Sequence, residues 1–226
     1  GTITVFDAGE PFKQFYLEWL LDRESELAPK TFNTYRLFLK AHVDPHLGHI
    51  PIGRITPKRL DEWKRERLAA GAGRTSIGQT VTLLKQIFKR AVQLELIPRN
   101  PAEAMDRPRA GKSKRALIPT PKNVEALRSW MLKRERVGDA TLISVLAYAG
   151  LRPGEALTLK WGDVSDVLHV YAPKTDTHRR VTVESFVASD LARWKLLSNA
   201  SGYVFPRKDR DPWTETDFRN WRNRFF

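Results

Sequence analysis

The 226-residue chain has no cysteine, only 2 methionines and no uninterrupted apolar run near the length of a membrane span. The first absence excludes disulfide stapling, a cysteine nucleophile and thiolate metal sites, and it fits an intracellular address. The last excludes a transmembrane helix, which needs roughly 18 or more apolar residues. The N-terminus also lacks the basic and then apolar pattern of a secretory signal. Acidic residues are scarce: 26 Asp and Glu stand against 39 Lys and Arg, a formal net charge of +13. Such an imbalance asks for a polyanionic partner, nucleic acid first and an anionic membrane surface second. What is present excludes a disordered chain, because 41% of the residues are hydrophobic and 7 Trp and 11 Phe can fill real cores. The length allows one large domain or two small ones, and two are expected. The chain opens on Gly1 and stops within a helical pattern, so a piece of a longer protein is expected.

The first hundred residues read as helices. Phe12, Phe15, Tyr16, Trp19 and Leu20 follow the spacing of one apolar helix face. Pro29 and Thr31 open a second helix carrying Phe32, Tyr35, Leu39 and Val43, which Pro45 and Gly48 are expected to end. An extended stretch from His49 to Ile55 leads to Thr56 and Pro57, an N-cap followed by proline at the first helical position. That third helix runs to about Ala70. After Gly71 and Gly73, Thr75 or Ser76 is expected to cap a long fourth helix ending near Leu96. Ile77, Val81, Leu84, Phe88 and Ala91 form its apolar face. Gln79, Thr82, Gln86, Lys89 and Gln93 fall on the other side. Amides, hydroxyls and cations in one row suit a helix that meets DNA, since they can bond base edges or phosphates; an ordinary solvated face is the alternative.

From Pro98 to Pro121 there are five prolines and an excess of cations, which reads as a basic linker. The expected organisation is a helical domain over 1–100, a linker over 101–120 and a second domain over 121–226. Residues 1–109 hold 18 Lys and Arg against 13 Asp and Glu, and residues 110–226 hold 21 against 13, so both parts are basic. In the second part Pro121–Arg136 and Asp139–Ala149 read as helices, the latter apolar enough to be buried. A short helix is expected over Arg152–Thr158. Strands are expected over Asp166–Ala172 and Arg179–Glu184, joined by a tight turn, with helices over Ser185–Asn199 and Trp213–Phe226, the last capped by Thr214.

Two segments carry chemistry. In AYAGLRPGEALTLKWGDV, residues 147–164, a buried helix stops at Gly150 and delivers Arg152 at its edge. A guanidinium held there can grip phosphate oxygens as a fork, and Glu155 can orient it; a helix-end pair between the two is the plainer alternative. In YAPKTDTHRRVTV, residues 171–183, Lys174 stands at a hairpin tip, where an ammonium can clamp a phosphate or protonate a leaving alkoxide. A lysine in a turn is also commonplace.

These two segments, about twenty residues apart, resemble the first arginine box and the lysine hairpin of the tyrosine recombinases, the phage integrase family. TYRLFLKAHVDPHLGHIPIGRITPKRLDEW and GRTSIGQTVTLLKQIFKRAVQLELIPRNPA likewise resemble that family's core-binding domain. The resemblance implies a mainly α fold with a small antiparallel sheet, an α+β arrangement: a helical SAM-like domain followed by an incomplete mixed α/β catalytic domain. It implies site-specific DNA recombination or integration, in which a tyrosine hydroxyl attacks the scissile phosphate and forms a phosphotyrosyl bond. Arg152 would stabilise charge on the nonbridging oxygens, Lys174 would help protonate the leaving 5′-oxygen and Glu155 would support. No metal and no cofactor is implied. Double-stranded DNA is the implied partner, gripped from two sides. Arg74, Thr75, Ser76, Gln79, Lys85 and Lys89 are candidate contacts on the helical domain, Lys112, Lys114 and Arg115 on the linker, and Arg179 and Arg180 on the hairpin.

The chain departs from the family pattern: it has no His-x-Leu-Arg box, nor the later His or Trp and the terminal tyrosine that follow it. All 5 tyrosines precede the place where the nucleophile belongs, and Tyr203, in GYVFP, reads as part of a short strand. A cleavage-incompetent, DNA-binding fragment is therefore expected, monomeric by itself, of an enzyme that acts as a homo-tetramer on paired sites. A non-enzymatic DNA-binding regulator or inactive truncated integrase is the alternative, and a membrane-bound basic protein a weaker one that leaves the arginine box unexplained. A cytoplasmic, nucleoid-associated location in a bacterium or phage-infected cell follows. His42, His46 and His49 with Asp44 imitate metal-ligand spacing, but Pro45 is expected to interrupt the helix that ligation would need.

Overall fold

Apolar residues spaced three and four apart become helices in the computed structural model, which describes residues 7–109, 111, 118–172, 176–198, 201–207 and 211–225. The chain divides into two units, 1–115 and 116–226. Most of it is helical, with one two-stranded antiparallel sheet.

In the first unit, α1 (Phe12–Asp22) buries all five residues of its apolar face. α2 (Pro29–Phe38) carries Pro29 at its start, where no N–H is lost from the ladder. The helical run passes through Pro45 and ends at Gly48, the second of the two residues expected to end it. A π-turn over Leu39–Val43 leads directly into α3 (Asp44–Leu47), with Pro45 in the first turn of that helix. In that first turn the missing proline N–H has no helical partner to lose, and Leu39, Val43 and Leu47 are all buried in the core. The stretch expected to be extended contains a 3-10 turn at Ile52–Arg54, preceded by a bridge between Pro11 and Pro51.

α4 (Pro57–Ala69) begins as expected, the Thr56 side chain accepting from the Arg59 backbone N–H at 3.2 Å. It places Leu60 and Trp63 in the core, and the Trp63 indole donates to the His42 carbonyl at 2.6 Å. α5 (Arg74–Gln93) is capped by extended Gly73 rather than by Thr75 or Ser76, which lie inside its first turn. Ile77, Val81, Leu84, Phe88 and Ala91 are all buried, and Phe88 stacks on Phe12 at 4.8 Å. Ala102 and Met105 also join this core. The Asn100 side chain holds that corner by donating to the Lys85 carbonyl at 3.1 Å and accepting from the Ala102 N–H at 2.9 Å.

In the second unit, α6 (Pro121–Leu132) is shorter than expected because Glu135 takes a left-handed φ of 57° and turns the chain. α7 (Val137–Ala147) buries seven of its residues, as its composition predicts. α8 (Pro153–Thr158) follows, then β1 (Val167–Ala172) and β2 (Thr177–Thr182). β2 starts two residues before the expected Arg179, because Thr177 and His178 pair with Ala172 and Tyr171 despite their polarity. Leu168, Val170 and Ala172 turn inward. α9 (Ser185–Leu197) and α10 (Glu215–Phe225) complete the unit, Thr214 accepting from the Asp217 N–H at 3.2 Å. Tyr203 sits in a structural bridge to Lys160, flanked by buried Val204 and Phe205. Among the described residues no helix is long and apolar enough to cross a membrane.

Candidate active site and DNA-contacting surface

Gly150 has φ 64°, a left-handed conformation that glycine adopts without the penalty a Cβ would bring. This turn releases the chain from buried α7 and sets Arg152 as the residue before α8, with Pro153 at the first helical position. Glu155, in the first turn, closes the cap by accepting the Arg152 backbone N–H at 2.8 Å. The same carboxylate accepts from Arg152 Nη1 at 2.8 Å. Across the hairpin, β2 brings Arg179 to it as a fork, Nη1 to Oε1 and Nη2 to Oε2, both at 2.8 Å.

Exposure separates the roles within this trio. The Glu155 side chain is 3% exposed, Arg179 37% and Arg152 74%. A buried carboxylate thus anchors two arginines, one of which faces solvent. The hydrogen bonds from Arg179 lower the Glu155 pKa to about 2, against the opposing effect of burial and with the Arg152 bonds adding to the fall. Two guanidinium charges on one carboxylate leave a net positive charge, as a phosphate site requires.

The other residues singled out in the sequence are distributed as follows. Arg180 is exposed and pairs in register with His169, on the face of the sheet opposite to Arg179. Lys174, Lys112, Lys114 and Arg115 lie outside the described residues. On α5, Arg74, Thr75, Gln79 and Lys89 are exposed, while Ser76 and Lys85 are half-buried. Thr75, Gln79, Thr82, Gln86, Lys89 and Gln93 form one row at alternating steps of four and three, so the helix offers a continuous polar stripe.

Two groups escaped the sequence reading. Arg219 and Arg222 of α10 border a cleft of about 420 Å³ that also includes Pro153, Gly154 and Thr158 of α8, next to Arg152 in sequence. Their spacing of three on a terminal helix was the available signal. Arg128 of α6 is buried and binds Ser144 Oγ through Nε at 2.6 Å, Glu125 through Nη1 at 2.6 Å and Asp190 through Nη2. Burial would lower its pKa, but Asp190 and Glu125 outweigh burial and raise it. The clue was a cation in the apolar row Val124, Leu127 and Met131.

Comparisons with known proteins agree with this architecture. Residues 11–66 match the phage integrase N-terminal SAM-like domain, and residues 119–225 match the phage integrase family. The chain belongs to the phage integrase family, the tyrosine recombinases. It is similar to the ICEBs1 integrase of Bacillus subtilis, 25% identical over 84% of this chain and 59% of that protein. It is also similar to the tyrosine recombinase XerC of Mesorhizobium japonicum, 28% identical over 73% of this chain and 54% of that one. The chain therefore spans little more than half the length of these relatives. In fold it matches the Tn1549 transposon integrase in complex with circular intermediate DNA, with a TM-score of 0.79, 18% identity and coverage of 95% of this chain and 77% of that one. It matches a lambda integrase tetramer bound to a Holliday junction with a TM-score of 0.80, 16% identity and coverage of 96% and 63%.

Proposed function

We propose that this chain is the double-stranded DNA-binding part of an integrase that recombines DNA through a phosphotyrosyl intermediate. The observation that carries the reading is Arg152, tethered by Nη1 alone to a buried carboxylate and 74% exposed beyond it. Among the described residues its Nε and Nη2 have no partner, and these two nitrogens share one edge of the guanidinium. That edge is a ready fork for two phosphate oxygens.

In the full reaction a tyrosine oxygen bonds to phosphorus as the bond to the 5′-oxygen breaks. Arg152 stabilises charge on the nonbridging oxygens, a role worth about 10² to 10³ in rate. Lys174 delivers a proton to the departing 5′-oxygen. The polar stripe of α5 and the exposed Arg180 add contacts to the duplex, most of them to phosphates.

The 226 residues by themselves bind duplex and leave it uncut, for their tyrosines are engaged elsewhere. Tyr16 is buried and hydrogen-bonded to Asp44, Tyr35 stacks on Trp19, Tyr148 donates to Glu125 and Tyr171 to Asp176. Tyr203 lies beneath the Lys160 ammonium. The intact enzyme works as a homo-tetramer on paired sites, a reading supported by the lambda integrase tetramer of the same fold, and the isolated chain is a monomer.

Duplex titration over a range of salt tests the binding. A steep linear fall of log K with log salt is expected, and a nearly flat line would overturn the proposal. Incubation with a nicked duplex followed by denaturing electrophoresis tests the second part, where a covalent protein–DNA band would show that these residues do cleave.

A further inference from the structure

We propose that Arg179 is a positioning residue for the arginine box: it saturates the Glu155 carboxylate so that Arg152 can bind it through one nitrogen only and keeps its Nε–Nη2 edge open for phosphate. The inference deepens the reading of Arg152 as a phosphate ligand and rests on it.

A carboxylate offers about four acceptor sites. Glu155 has four donors on it: Arg179 Nη1 and Arg152 Nη1 on Oε1, Arg179 Nη2 and the Arg152 backbone N–H on Oε2, all at 2.8 Å. No site remains for a second nitrogen of the Arg152 guanidinium. Remove Arg179, and two acceptor sites open in a pocket where Glu155 is 3% exposed. An unsatisfied buried carboxylate is costly, and Arg152, already bound to it through Nη1, carries spare donors at Nε and Nη2. The Arg152 side chain would then turn onto Glu155 as a fork of its own. Its charge would be neutralised and its open edge consumed.

The charge balance leads to the same result. With Arg179 present, the trio carries two positive charges and one negative, and the surplus resides on the exposed member. Without it, Arg152 and Glu155 cancel. Arg179 thus acts on phosphate through Arg152, although its charge and its place beside the hairpin tip suggest direct DNA contact. Its position depends on strand register: it faces Val170, on the inward side of the sheet, and a slip of one residue would present Arg180 instead. Lysine could restore the charge but not the two-bond fork.

The side-chain Nε–H signal of Arg152 in ¹⁵N–¹H spectra, assigned with Arg152→Lys, tests the positioning without DNA. In Arg179→Met this signal is expected to shift and to exchange more slowly with solvent, while circular dichroism shows a folded chain. Arg179→Lys is expected to give a smaller change of the same sign, and it carries the test if Arg179→Met does not fold. A folded variant whose Arg152 signal stays in place, whatever its unfolding midpoint, would overturn the proposal.

Duplex affinity tests the consequence. Arg152→Met and Arg179→Met should each weaken binding roughly threefold to tenfold, and the double variant no more than either. Losses that multiply would show that Arg179 acts independently and would overturn the proposal. If instead the wild-type Arg152 signal ignores added duplex and Arg152→Met binds normally, the phosphate reading fails by itself; the spectra without DNA still decide the role of Arg179.

Discussion

The Arg67 guanidinium lies with Nη1 3.2 Å from Nε2 of His46, a contact in which the ring nitrogen must accept and therefore be unprotonated. Burial, then Arg67, with Arg59 adding and Glu66 opposing, holds the His46 pKa below its ordinary value. His42, one turn earlier, is lowered by burial, Arg67 and His46. Both sit on a helical run that continues through Pro45, so the expected interruption is not what keeps them from acting as a ligand pair. Their surroundings are cationic, and His46 Nε2 is already engaged.

These two histidines give the first unit a pH dependence. Their folded pKa values lie below the unfolded value of about 6.5, so the unfolded chain binds protons first as pH falls. Their contribution is complete above about pH 6.5 and is lost on going down through the folded values. Thermal unfolding of residues 1–109 between pH 8 and pH 5 should show a falling midpoint, and His46→Gln should flatten the lower part of that curve. A midpoint that rises on acidification would contradict the sign.

Glu155 titrates in a lower window. Its folded pKa of about 2 lies below the ordinary 4.5, so its contribution is present above that ordinary value and vanishes as pH falls toward 2. The full difference amounts to about 3 kcal/mol, an upper figure given the exposure of Arg152. Tryptophan fluorescence of the second unit through an acid titration should locate the loss between these values. Glu155→Gln should remove that segment of the curve and lower stability at pH 7.

Arg128→Met leaves Asp190 without its cation in a partly buried place, where the Asp190 side chain is 17% exposed. The expected cost is about 3 kcal/mol, seen as a lower urea midpoint with an unchanged slope. Adding Asp190→Leu should recover part of it, because the uncompensated charge is what costs most. An unchanged midpoint in the single variant would mean that the network contributes nothing.

Lys89→Ala on the polar stripe of α5 should weaken duplex binding by a similar factor for unrelated sequences and reduce the slope of log K against log salt by about 1. Gln79→Ala should leave that slope unchanged, since an amide releases no counterion. A slope unaffected by Lys89→Ala would remove that lysine from the interface.

Much of this fold was legible because burial here follows helical spacing. The five apolar residues of α1 and the five of α5 could be placed from period alone, and the burial of α7 from its apolar composition. The passage through Pro45 could not, because the rule that proline stops a helix fails where a π-turn hands over to a new first turn, in which the N–H needs no partner. The start of β2 was hidden by polar residues whose pairing depends on the partner strand. At the candidate site, Arg152 and its contact with Glu155 were readable from a spacing of three. The engagement of Arg179 was not, since charge beside a hairpin suggests solvent or DNA, and only the folded chain reveals a carboxylate 24 residues earlier in its reach.

The Glu155 junction also governs how relatives of this protein can be spliced. A chimera whose crossover falls between residues 155 and 179 takes the carboxylate from one parent and its saturating arginine from the other. Parents that differ at either position would yield hybrids with an intact core and a misdirected arginine box. Shuffling libraries built on this scaffold should therefore inherit α8 and β2 as one block.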